Sequence, residues 1–149
     1  MSDRFYNGFR AGTLGQIFSF IFNSFSRLLG FSTFLWAEYM SLFIMGQKPE
    51  QTFEWIFFII VQFGFLGFLG AVFALIIPAI SSKHLVFKGV IYSSVLWFVI
   101  NSLPYIFQIP DIKTTTFADV VSNLIGAFIW GAAMSLILKK IDNEAINQK

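Results

Sequence analysis

Apolar residues along this chain gather into four runs, over about 11–46, 54–80, 89–109 and 117–138, separated by short polar segments. An α-helix rises about 1.5 Å per residue and needs about 20 apolar residues to cross ~30 Å of hydrocarbon. Each run reaches that length. The pattern predicts an all-α fold: an integral membrane bundle of four transmembrane helices, over about 11–30, 54–80, 89–109 and 117–138. Residues 1–149 then form a single membrane domain, with no room for a soluble one.

The first run is too long for one upright crossing. From Ala11 to Gly46 is 36 residues, or ~54 Å as a continuous helix. Gly30 and the following Phe31-Ser32-Thr33 offer a break. The reading is a crossing helix to about residue 30, then a short interfacial helix over about 34–45, FLWAEYMSLFIM. There Trp36, Glu38, Tyr39 and Ser41 suit the outer bilayer surface. The alternative is one tilted helix that projects beyond the bilayer.

Within the spans, the departures from pure hydrocarbon are patterned. In span 1, Gly12, Gln16, Ser19, Asn23, Ser26 or Arg27, and Gly30 recur at three- or four-residue steps, which places them on one helical face. That face must turn into the bundle or a wet cavity, because lipid offers it no partners. Span 2 carries Gly64, Gly67, Gly70, Ala71 and Ala74. The G-x-x-G-x-x-G spacing is not a dinucleotide fingerprint and lacks a preceding strand; it reads as a smooth ridge for close helix packing. Span 4 repeats the device with Ala127, Gly131 and Ser135. Span 3 holds Pro104, which removes one backbone donor and predicts a kink, with Asn101 and Tyr105 four residues apart on one face.

Basic residues mark the cytoplasmic side. Arg4, Arg10, Lys83, Lys88, Lys139, Lys140 and Lys149 fall at the two termini and the 81–88 loop, whereas the other two connections hold only Lys48 and Lys113, with the acids Glu50, Glu54 and Asp111. Both termini are therefore expected in the cytoplasm, with Trp55 and Tyr105 as interfacial aromatics on the outer side. The early Arg4 and Arg10 mimic a signal peptide, but the apolar run is too long for one and no small-residue cleavage site follows.

Arg27 stands out, because a charge inside a span is a functional hypothesis by default. Counted from Arg10 it lies 17 residues in, or about 25 Å, which puts it in the outer third. Asn23, Gln62, Asn101, Tyr105, Asp119 and Asn123 fall in the same outer half and come from all four spans. Helical rotation decides whether they converge into one intramembrane polar cluster. Three readings follow for Arg27: it snorkels or pairs with Asp119, Glu38 or Glu54 and fixes the bundle; it supplies the positive charge of an outward-facing vestibule; or it serves an interface in an oligomer. An Arg27–Asp119 pair is the specific expectation, from their similar depth and opposite sign.

Composition narrows the chemistry further. The chain is 56% hydrophobic and only 12% charged, with mean hydropathy +0.73; a globular domain carries about 25% charged residues. The absence of Cys rules out disulfides, thiolate metal sites and a cysteine nucleophile. The one histidine, His84, lies beside lysines in a loop and reads as solvated. No metal-ligand spacing and no nucleophile–base motif is present, so no catalytic residue, cofactor or metal is expected. A net charge of +2, scattered, does not suggest nucleic acid.

The order of these features resembles the YqhR-like conserved small membrane proteins of low-GC Gram-positive bacteria. The resemblance rests on the Gly-rich start of span 1, RAGTLGQ, and on the outer segment FIMGQKPEQTFEW, ending in Met-Gly before a Trp. It continues through YSSVLWFVINSLP after a short basic loop and the Gly-containing IGAFIWGAAMSL, and covers about residues 10–140. It implies a four-span protein of the bacterial cytoplasmic membrane and carries no established activity or site residue. The functional expectation is a non-enzymatic membrane protein, structural or accessory to a membrane assembly. The alternative is a small oligomeric channel or transporter with an outward-facing polar vestibule around Arg27. The partners expected are the lipid bilayer and either further copies of the chain or another membrane protein.

Overall fold

The structure, a computed structural model, describes residues 3–80, 83–107 and 116–147; the side chains of residues 80, 105 and 145–147 lie outside that description. It contains five helices: α1 (Arg4–Leu28), α2 (Trp36–Met45), α3 (Thr52–Ile80), α4 (Leu85–Ile106) and α5 (Phe117–Asn147), with no strand among the described residues. The expected all-α class is thus observed. Asp111, Lys113 and Lys149, which entered the charge count above, fall outside the described residues, as does the side chain of Tyr105.

Three helices are long and apolar enough to cross a membrane: Thr52–Ala79, Leu85–Pro104 and Phe117–Glu144, with mean hydropathies of 2.4, 1.5 and 1.8. Helix α1 is not among them, and the reason lies in its polar stripe. Gln16, Ser19, Asn23 and Ser26 lower its average while being buried inside the bundle. Its opposite side shows Leu14, Ile17, Phe18, Ile21 and Phe25 at the surface.

The first apolar run is two helices, not one. Helix α1 ends in a Schellman motif: Phe31 N–H reaches Ser26 C=O at 3.0 Å and Gly30 N–H reaches Arg27 C=O at 2.9 Å. Gly30 adopts φ +74° there, a left-handed conformation that a side chain would strain. Gly46 closes α2 with a simpler left-handed cap, φ +73° and its N–H on Leu42 C=O. The short helix expected over about 34–45 is present as α2. Seven consecutive residues, Trp36 to Leu42, are buried, so α2 is wedged against the bundle and has no wet face along that stretch. Trp36, Ala37 and Met40 pack with Phe58 and Ile100, flanked by Trp55, Ile59 and Trp97.

Helix α1 is the centre of the bundle, packed against α3 and α5; α4 packs on α5, and α3 and α4 barely touch. Glycines permit the close approaches. A Cβ on Gly70 would come within 2.7 Å of Gly12 Cα, and one on Gly8 within 2.6 Å of Gly70 O. Gly8 and Gly12 therefore seat α1 on the Gly67–Gly70–Ala71–Ala74 ridge of α3, backbone against backbone. On the other side of α1, Gly15 sits against Met134 of α5. Gly131 and Ser135 of α5 face Gly89 of α4 in the same manner. Gly64 is the exception within the ridge, because a Cβ there meets nothing within 4 Å. The partners Gly8, Gly15 and Gly89 were not singled out from sequence, since a lone glycine in a helix carries no mark of which neighbour it meets. Further apolar packing comes from Ala11, Leu69, Phe73, Ala74, Ile77, Trp130, Met134 and Leu138.

Candidate functional site

The polar groups at the α2 end of the bundle are organised around two carboxylates. The first is Glu38, third residue of α2 and buried. Its Oε2 accepts from Leu35 N–H at 2.7 Å, as a capping glutamate does at a helix start. The same oxygen takes Nη1 of Arg27 at 3.1 Å. The Arg27 guanidinium also lies over the Trp55 ring, 5.5 Å from its centroid. Arg27 remains 40% exposed while Glu38 is 5% exposed. The arginine thus bridges α1, α2 and the first turn of α3.

The second carboxylate is Asp119, fully buried in the first turn of α5. With Thr116 it forms a reciprocal cap: Thr116 N–H donates to Oδ2 at 2.9 Å, and Asp119 N–H donates to Thr116 Oγ1 at 3.2 Å. Its Oδ1 receives the backbone N–H groups of Thr33 and Phe34 and the hydroxyl of Ser32, at 2.5, 3.1 and 3.0 Å. The Thr33 hydroxyl adds a contact to Oδ2 at 3.1 Å. Three successive backbone donors, from Thr33, Phe34 and Leu35, therefore end on just two side chains.

The expected Arg27–Asp119 pair is corrected by this arrangement. Asp119 is saturated by loop and cap donors, and Arg27 takes Glu38 instead. Depth alone had matched the two charges; what separates them is that Asp119 faces the 32–34 loop, whereas Arg27, at the C-terminal end of α1, faces α2 and Trp55.

The other candidate residues are placed as follows. Asn101 turns back to its own helix, its Nδ2 on Trp97 C=O at 2.8 Å. Asn23 is buried, with Nδ2 3.4 Å from Ser19 Oγ and Oδ1 without a protein partner. It packs on Gly126 of α5. Next to it the Ser26 and Ser122 hydroxyls meet at 2.7 Å across α1 and α5. Asn123 is buried with neither amide atom partnered, and Gln62 of α3 is buried too. From sequence, Phe31-Ser32-Thr33 reads only as a helix break, and Thr116 is not singled out. The T-x-x-D spacing before an apolar run was a readable cap signal, but the loop donors it also collects are remote in sequence. Gln16 had been noted as part of a stripe only; it is buried at 1% exposure with both amide atoms unpartnered.

Helix α3 has its own cap: Glu54 Oε2 accepts from Glu50 N–H at 2.7 Å and from Gln51 N–H at 3.3 Å. That uses Glu54 locally, so it is not the partner of Arg27. Compared with known protein families, curated proteins and solved structures, the chain matches none.

Proposed function

We propose that this chain is a non-enzymatic integral membrane protein that crosses the bilayer four times and acts as a structural or accessory component of a membrane assembly. The observation that carries the reading is the closure of the α2 end: α2 is wedged there, and the two carboxylates are used up in binding the 32–35 loop, Arg27 and the caps. Charges arranged for transport would be expected to face a pathway, not one another. Helix α1 is read as the fourth crossing. Its 25 residues span ~37 Å, and it runs antiparallel to α3 and α5 at glycine contact distance. In this orientation the termini are cytoplasmic and α2 lies on the outer side, as the distribution of basic residues predicts. The resemblance to YqhR-like proteins supports a bacterial cytoplasmic membrane as its location.

The second reading, a small oligomeric channel or transporter, is favoured by one observation: the Arg27 side chain stays 40% exposed beside the bundle end. Reconstituted vesicles separate the two. An accessory protein gives no potassium, chloride or proton flux above empty vesicles, and Arg27→Gln changes nothing. Flux that depends on Arg27 overturns the accessory reading.

A further inference from the structure

Arg27 uses only part of its hydrogen-bonding capacity inside the protein. A guanidinium carries several N–H donors in a planar fork. One bond runs from Nη1 to Glu38 Oε2 at 3.1 Å, and the remaining N–H groups have no hydrogen-bond partner among the described residues. The side chain is 40% exposed, against 5% for Glu38. Glu38 fixes one edge of the fork from inside the bundle. The Trp55 ring, its centroid 5.5 Å from Cζ, supports the face. The fork is therefore held in place with donors left for a partner outside the bundle.

The surface around it is apolar. Leu28, Leu29 and Phe31 beside it on the chain are exposed, as are Ile56 and Ile60 on α3, just beyond Trp55. Deeper along the α1–α3 seam, half-buried Phe20 and Phe63 meet edge to face, with centroids 5.8 Å apart. Phe20 lies seven residues before Arg27, and Phe63 eight after Trp55, or about 10–12 Å along either helix. Two acids of the same end, Glu38 and Glu54, are engaged in helix caps, so neither turns a free carboxylate toward an anion at Arg27.

We infer that Arg27, backed by Trp55, binds the phosphodiester group of a phospholipid, one acyl chain of which lies along the α1–α3 seam over Phe20 and Phe63. The guanidinium fork matches phosphate oxygens with two parallel bonds. An arginine in the outer third of a span reaches the headgroup layer, where interfacial indoles also sit. A soluble anion has no apolar group to set against the exposed leucines and Phe31. A phospholipid covers them with the same molecule. The inference rests on the crossing proposed for α1, which side-specific cysteine labelling decides separately. It does not depend on the accessory reading, since a channel and a scaffold can both carry it.

The test uses the full chain, delipidated in an uncharged maltoside detergent, and reads the thermal midpoint. The probes are dioctanoyl phosphatidylglycerol, dioctanoylglycerol (the same chains without phosphate) and inorganic phosphate. The phospholipid should raise the midpoint saturably, and the other two should not. Arg27→Gln should move half-saturation tenfold or more. Arg27→Lys, which keeps the charge but not the fork, should move it several-fold. Arg10→Gln, toward the opposite end of α1, should leave it unchanged. The proposal is overturned if dioctanoylglycerol matches the phospholipid, or if Arg27→Gln keeps the wild-type half-saturation. It is overturned equally if Arg10→Gln abolishes the effect. A midpoint raised by inorganic phosphate alone marks a site for free anions and overturns the lipid assignment. Should Arg27→Gln fail to fold, Arg27→Lys still decides, because an unchanged half-saturation with lysine overturns the proposal.

Discussion

Arg27 and Glu38 are joined at 3.1 Å across the break between the first two helices, and the carboxylate oxygen that holds the arginine is the one that caps α2. The pair therefore ties helix formation in α2 to the position of α1. One partner is buried and the other is 40% exposed, so its strength lies between that of a surface bridge and a buried one. A double-mutant cycle with Arg27→Gln and Glu38→Gln, read by thermal unfolding in detergent, should return a coupling of about 1 kcal/mol. The same cycle with Asp119→Asn in place of Glu38→Gln should be additive within about 0.5 kcal/mol. Coupling of Arg27 to Asp119 as large as to Glu38 would contradict the arrangement.

Asp119 should be the most sensitive polar position. Asp119→Ala strands the N–H groups of Thr33, Phe34 and Thr116, and losing a buried, multiply bonded carboxylate costs about 3–5 kcal/mol. Asp119→Asn keeps one acceptor oxygen and should cost less. Limited proteolysis at 29–35 checks the structural cause, since release of the loop should appear in the alanine variant before global unfolding does.

Glycines of the same ridge should differ sharply. Gly70→Leu places a side chain where Gly12 Cα and Gly8 O already stand and should prevent α1 from docking, seen as loss of a monodisperse species in mild detergent. Gly64→Leu meets open space and should change stability by no more than about 0.5 kcal/mol, as surface substitutions do. Equal damage at both would mean that the α1–α3 contact is not the one described.

The crossing proposed for α1 can be tested by single-cysteine labelling, which is clean because the chain has no native Cys. Tyr6→Cys and Lys140→Cys should react with a membrane-impermeant maleimide from one side of oriented vesicles, and Lys48→Cys from the other. Labelling of Tyr6→Cys on the side of Lys48→Cys would mean that α1 does not cross.

Local rules set the part of this protein that is legible in the order of its residues. Apolar run length predicts α3, α4 and α5, because hydrocarbon thickness and helix rise are constants. Gly30 in a polar interruption predicts the break, because a left-handed residue there needs no side-chain concession. The small-residue ridge predicts close packing. Which residues meet is a matter of how the helices pack. Two charges at equal depth can face apart, and Arg27 and Asp119 do. A stretch with polar residues can be buried along its whole length, as Trp36 to Leu42 of α2 is, when a neighbouring helix and a capping glutamate satisfy it. Gln16 reads in sequence as one more member of a stripe; its isolation inside the bundle depends on helices separated from it by dozens of residues. Rotation about a helix axis costs little in any local term, so it is settled by packing and by where buried polar groups find partners.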